Sequence, residues 1–94
     1  MAGRLSDAEI AQQLKGVAGW TRDGNAIRKS FSFAKFAEGI RFVDRVAAAA
    51  DALDHHPDID IRYTTITMVL STHSAGGLTR KDFELAERIE QAAR

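Results

Sequence analysis

Three histidines are the residues of this chain best suited to moving protons near neutral pH. All three lie in two short, turn-rich segments, Asp54-His55-His56-Pro57 and Thr72-His73-Ser74-Ala75-Gly76-Gly77. Imidazole, with an unperturbed pKa of roughly 6.5, both gives and takes protons in that range. If the two segments meet in space, they make an acid–base site that needs no metal. Histidine triads can also hold zinc, but pairs at i, i+2 on a strand or i, i+4 on a helix do not occur here, so no metal site is expected. Ser71 and Ser74 lack an arranged base and oxyanion donors and are not nucleophile candidates. Gly76-Gly77 has no following Lys-Ser/Thr and reads as backbone geometry between a strand and a helix, not as a phosphate loop.

Each of these residues also has a plain structural use. His55 and His56 are neighbours on an extended segment and must point in opposite directions; one of them could cap the preceding helix C-terminus. His73 could be an ordinary turn residue. Asp82 is the N3 acid of a capping box, with a helix-dipole benefit of roughly 0.3–1 kcal/mol. Asp51 and Asp54 read as solvated residues at a helix end, although an acid there opposes the dipole. Topology favours the functional reading. Pro57 precedes the last β-hairpin and His73 follows it, and the outer ends of a hairpin lie side by side.

The elements that must position these groups are legible in order. Ser6-Asp7-Ala8-Glu9 is a capping box, flanked by Leu5 and Ile10, and Ile10, Leu14 and Val17 continue a helical stripe that Gly16 and Gly19 end. A short strand at Trp20-Thr21-Arg22 leads into Asp23-Gly24 or Gly24-Asn25 turn chemistry. The returning strand alternates, with Ile27, Lys29, Phe31 and Phe33 on one face. A long helix is expected over Lys35–Leu53, with Phe36, Ile40, Val43, Ala47 and Ala50 as its stripe and Val46 and Leu53 widening it. Pro57 ends the helical run and holds His56 extended. Strands follow at Ile59–Arg62 and Thr65–Thr72, and strand parity points His73 toward the open sheet face. Thr79-Arg80-Lys81-Asp82 opens the last helix, stapled by Leu78 and Phe83. The order α-β-β-α-β-β-α predicts an α+β two-layer sandwich, a four-stranded antiparallel sheet with helices on one face.

Composition narrows the function classes. Ninety-four residues, 45% of them hydrophobic and 28% charged, support one domain spanning 1–94. Thirteen basic residues balance thirteen acidic ones, so no concentrated basic face for nucleic acid is expected. The same balance leaves little self-repulsion against oligomerisation. There is no cysteine, which excludes disulfides and thiol chemistry. No apolar run is long enough to span a membrane. Met1–Ile10 carries acidic residues and no apolar signal core, so a cytoplasmic location is expected.

Asp54-His55-His56-Pro57-Asp58-Ile59, Tyr63, Leu70-Ser71-Thr72-His73, Gly77-Leu78-Thr79 and Asp82 closely resemble the signature of the pterin-4a-carbinolamine dehydratases. Leu5, Gly19-Trp20 and the Ile27/Phe31/Phe33/Phe36 pattern extend the likeness over nearly the whole chain. The resemblance implies a hydro-lyase that removes the 4a-hydroxyl of a tetrahydropterin carbinolamine, in tetrahydropterin recycling, with no cofactor and no metal. It implies His55 and His73 as acid and base, and His56 as a third site histidine. Pro57, Thr72, Ser74 and Ala75 would line the pterin pocket, with Asp82 nearby. Asp51 stands where the family often has an acid, three residues before Asp54-His55-His56; Ile59 replaces a tryptophan found in some members. A homodimer or homotetramer is implied as well. The alternative implied by relatives of this fold is a non-catalytic binding module, a dimerisation or assembly cofactor.

Overall fold

The computed structural model describes residues 3–94; Met1 and Ala2, part of the leading stretch read above, lie outside the described residues. Helix α1 (Asp7–Leu14) is followed by β1 (Thr21–Asp23), β2 (Ala26–Ser32), α2 (Phe36–Leu53), β3 (Asp58–Arg62), β4 (Thr65–Leu70) and α3 (Arg80–Ala92). A single 3-10 turn, His73–Ala75, stands between β4 and α3. The four strands form one antiparallel sheet in the order β1-β2-β4-β3. No helix of the described residues is long and apolar enough to cross a membrane.

Local chemistry explains the boundaries. Both halves of the Ser6/Glu9 capping box are formed at the start of α1, with Ser6 N–H donating to Glu9 Oε1 at 2.9 Å and Glu9 N–H to Ser6 Oγ at 3.2 Å. The β1–β2 hairpin turns on Gly24-Asn25, with Gly24 at φ +61°, a value that glycine adopts without a Cβ penalty. The α2 stripe is rotated from the expected one. Gly39, Phe42, Val46 and Ala50 are its buried residues, while Phe36 and Ala47 are exposed. Phe42 sets that rotation: its ring centroid lies 5.0 Å from Phe31 and 5.1 Å from Phe33, and burying it is worth about 1.5–3 kcal/mol. Gly39 faces the sheet, where a Cβ would meet Ile66 Cδ1 at 3.4 Å, an ordinary contact with room for a methyl group and no more.

One face of the sheet supplies Ile27, Phe31, Ile66, Met68 and Leu70 to this core, and α3 adds Phe83, Leu85, Ala86 and Ile89. Lys29, the polar member of the core-facing row, is satisfied there. Its Nζ donates to both Glu90 carboxylate oxygens, at 2.8 and 2.9 Å, and to the Ala18 carbonyl at 2.9 Å. Strand β4 stops at Leu70 and the chain turns at His73, so strand parity does not govern where the His73 side chain points.

Candidate functional site

The first histidine segment is set by how α2 ends. Asp54 adopts the left-handed conformation (φ 49°, ψ 44°). Its N–H donates to the Asp51 carbonyl at 3.2 Å, and the His55 N–H donates to the Ala50 carbonyl at 3.1 Å. That closure satisfies two helix-end carbonyls and swings the chain off the helix axis. Beyond it the two imidazoles diverge, as adjacent residues on extended backbone must. His55 turns inward, its side chain 11% exposed, while His56 turns outward, 58% exposed, with Nε2 2.9 Å from Asp51 Oδ1. Neither ring caps the helix. Asp51 and Asp54, acids at the unfavourable end of a dipole, thus have local uses: one pairs with His56 and the other occupies the left-handed position.

His55 ends on a carboxylate with no exposed surface. Asp82 Oδ1 lies 2.6 Å from His55 Nε2, and Asp82 is 0% exposed. Its other oxygen accepts from the Thr79 N–H at 2.9 Å and from the Thr72 hydroxyl at 2.8 Å, and Thr79 Oγ1 lies 2.9 Å from Thr72 Oγ1. The proton assignments close consistently on an ionised Asp82. Thr79 donates to Thr72, Thr72 donates to Asp82, and His55 presents Nε2–H to the remaining oxygen. A buried anion needs such a set of donors. His55 Nδ1 has no hydrogen-bond partner among the described residues. Yet no buried side-chain nitrogen or oxygen among them lacks one, so Nδ1 is open to the surface. The imidazole is anchored at one nitrogen and free at the other.

Thr72 joins the two histidine segments. Its hydroxyl lies 3.5 Å from His55 Nε2, and the β3–β4 pairing, Asp58 with Val69, brings the chain on either side of it together. The isolated Thr72–Gly77 bridge and Gly76 at φ +72° then close the loop that carries His73. His73 is exposed and lines an open cavity of about 400 Å³ with Ser71, Thr72, Asp23 and Asn25. His55, His56, Pro57, Ser74 and Ala75 are not among the residues around that cavity. Pro57 and Ala75 are half-buried and Ser74 is exposed. Asp82, expected near the pocket, is wholly enclosed, and it connects to that cavity through Thr72, which lines it, and to the exposed side of His55 through Nε2.

The chain resembles known proteins along its length. The family model described as pterin 4 alpha carbinolamine dehydratase matches residues 3–92. The chain belongs to this family. A protein of Roseiflexus sp. (strain RS-1), provisionally named a pterin-4-alpha-carbinolamine dehydratase, is 56% identical over 91 residues, covering 97% of this chain and 98% of that protein. One of Mycobacteroides abscessus, with the same provisional name, is 52% identical over 86 residues, covering 92% of each. Among solved structures, a transcriptional coactivator/pterin dehydratase from Brucella melitensis superposes with a TM-score of 0.94 at 32% identity, covering 98% of this chain and all of that one. A pterin dehydratase-like RuBisCO assembly factor of the alpha-carboxysome shares the fold, with a TM-score of 0.65 at 23% identity, over 79% of this chain and 86% of the other. Membership places the chain among dehydratases, enzymes of the hydro-lyase class.

In this dehydratase-family chain, Thr79 is the site residue that sequence reasoning missed. It is 0% exposed and holds Asp82 through its backbone N–H and Thr72 through its hydroxyl. The capping box named both Thr79 and Asp82. What it did not show is that the box faces inward and takes on His55 as a third donor.

Proposed function

We propose that this chain removes water from a 4a-hydroxytetrahydropterin, with His55 and His73 carrying the two protons. The observation that supports this best is the anchored imidazole: His55 Nε2 on buried Asp82 at 2.6 Å, with Nδ1 open. A carboxylate behind an imidazole fixes the tautomer and stabilises the imidazolium as it forms, which suits His55 to accept a proton. His55 Nδ1 takes the proton from pterin N5, and the electron pair left on N5 forms the N5–C4a double bond. The C4a–O bond breaks, and the leaving hydroxyl takes a proton from His73 to depart as water. The product is quinonoid dihydropterin, and no cofactor or metal is consumed.

His56, tied to Asp51, contacts the pterin or shares the proton work. Pro57, Ser74, Ala75 and the Thr72 backbone line the substrate, since the Thr72 hydroxyl is already committed to Asp82. Asp82 is the positioning residue behind His55. The whole of 1–94 acts as one domain, in the cytoplasm, in tetrahydropterin recycling. It works as a homodimer or homotetramer. The five exposed residues of edge strand β3, with Ile59 at 38% and Ile61 at 42%, support assembly. The test is to follow carbinolamine decay with and without the protein. An acceleration of ~10²–10⁴-fold is expected from positioned proton transfer. The rival, a non-catalytic binding module, draws on the same exposed edge; decay at the uncatalysed rate, with one stoichiometric partner captured, would establish it instead.

A further inference from the structure

The Thr79 hydroxyl carries no proton to or from the substrate, and it is shut away from water. Thr79 is 0% exposed, and its Oγ1 lies 2.9 Å from Thr72 Oγ1. Two more groups reach the same Thr72 oxygen, Asp82 Oδ2 at 2.8 Å and His55 Nε2 at 3.5 Å. A hydroxyl has one proton to give and two lone pairs to offer. The Thr72 proton goes to the buried carboxylate, its strongest acceptor. Its lone pairs are left for the Thr79 O–H and the His55 N–H. Distance separates those two. N–H···O bonds run to about 3.2 Å, and His55 stands outside that reach at 3.5 Å. Thr79 alone serves Thr72 as a full donor.

His55 is held in consequence by one acceptor and not two. Its Nε2–H points to Asp82 Oδ1 at 2.6 Å, and Thr72 Oγ1 makes no comparable claim on it. Without the Thr79 hydroxyl that balance changes. Thr72 keeps a lone pair with no donor inside a buried network, a costly state. Among its remaining partners only His55 has a proton to give. The imidazole then leans toward Thr72, and its proton is shared between two acceptors. The ring is rigid, so a lean at Nε2 displaces Nδ1, the nitrogen assigned to the reaction. A misplacement of about 1 Å can cost ~10²-fold in rate, and a fraction of it correspondingly less.

We infer that Thr79 is a positioning residue: by filling the Thr72 oxygen, its hydroxyl keeps the His55 imidazole squarely on Asp82. This rests on the dehydratase reading above and adds a residue with no hydrogen bond to either proton-carrying histidine. Losing one hydrogen bond of a buried network is expected to slow the reaction about fivefold.

The experiment compares the full chain with Thr79→Val, Thr79→Ser, Thr72→Val and the Thr72→Val/Thr79→Val double variant. Steady-state kinetics use the carbinolamine, and ¹H–¹⁵N spectra of the unliganded protein follow the His55 Nε2–H. Thr79→Val is expected to lower kcat about fivefold with KM within about twofold, and to speed exchange of that proton with water about fivefold. Thr79→Ser keeps the hydroxyl and should match the parent in both. Added to Thr72→Val, Thr79→Val should lower kcat no further, because Thr79 acts through Thr72. Thr79 is also the N-cap of α3, so Thr79→Val lowers the melting temperature in any case. Thr79→Cys, a weaker donor of similar size, serves if Thr79→Val does not fold, and should fall between Ser and Val. A folded Val or Cys variant that melts lower but keeps the parent's kcat and proton exchange would overturn the role of Thr79 and leave the dehydratase reading standing. An unaltered protein that does not speed carbinolamine decay, but whose Nε2–H still exchanges faster in Thr79→Val, would overturn the dehydratase reading and keep Thr79 as the group that seats His55. A Thr79→Ser variant as impaired as Thr79→Val would overturn the role of the hydroxyl.

Discussion

Replacing Asp82 by asparagine changes one atom pair and tests how His55 is held. Asp82 receives three donors, His55 Nε2 at 2.6 Å, the Thr72 hydroxyl at 2.8 Å and the Thr79 N–H at 2.9 Å, with no exposure to water. An asparagine NH2 in place of Oδ2 would meet two donors head-on. In place of Oδ1 it meets only the imidazole, which can answer by presenting a lone pair at Nε2. The second arrangement wins, and its consequence is chemical. The ring proton moves to Nδ1, and the open nitrogen becomes a donor where a base is needed. A general base lost this way should lower kcat by ~10²–10⁴-fold with little change in KM. Exchanging a charged acceptor for a neutral one in a buried network should cost about 1–3 kcal/mol of stability. Asp82→Ala would strand the Thr79 N–H and His55 Nε2 without an acceptor, a larger loss within the roughly 5–15 kcal/mol that a small domain possesses. Asparagine is therefore the cleaner probe. Carbinolamine decay gives the rate, and imidazole ¹⁵N shifts of His55 give the tautomer. A variant whose kcat stays within about threefold of the parent and whose Nε2 keeps its proton would refute this account of Asp82.

Other consequences follow from backbone and packing. Asp54 holds a left-handed conformation at the end of α2 (φ 49°); Asp54→Gly should raise stability by about 0.5–1 kcal/mol, read as a higher urea midpoint, and a lower midpoint would count against the closure described. Gly39→Leu should cost about 1–3 kcal/mol, because a Cβ there already lies 3.4 Å from Ile66 and 3.5 Å from Phe33. Gly39→Ala should be neutral or stabilising, and thermal melts of the two variants separate overpacking from helix propensity. The Glu9 carboxyl is held below its ordinary range by the Ser6 backbone N–H, then by the Ser6 hydroxyl and the Arg80 charge. A lowered folded-state value means that the stabilisation is present above the ordinary carboxylate range and is lost as pH falls through the folded value. Glu9→Gln, which keeps an acceptor for the Ser6 N–H but loses the charge, should therefore lower the denaturation midpoint near neutral pH and match the parent in acid; equal midpoints at both would contradict the lowered Glu9 value.

Much of the fold was readable because local signals agreed with the global one. Ser6/Glu9 and Thr79/Asp82 marked two helix starts, the Ile27–Phe31 alternation marked a strand, and Gly24 marked its turn. The face of α2 was misread because that helix is apolar on most sides. Periodicity alone let Phe36 and Ala47 stand in for Phe42 and Gly39, and only packing against Phe31, Phe33 and Ile66 decides between them. Lys29 broke the alternation of β2 for a reason the strand itself does not contain, a partner 61 residues away at Glu90. At the site, the meeting of the two histidine segments was legible from hairpin topology, and the divergence of His55 and His56 from extended geometry. Burial of Asp82 was not, since a capping acid is ordinarily at the surface. The 3-10 turn at His73 was hidden for a similar reason: the strand pattern ran on through Ser71 and Thr72 after the ladder had ended.

The measurement that bears most directly on the whole account is the dehydration rate of the His55→Ala/His73→Ala double variant, in folded protein, against the uncatalysed decay of the carbinolamine. The account predicts decay indistinguishable from the uncatalysed rate, with each single variant in between. A double variant that still speeds the reaction as the parent does would show that the protons travel by another route.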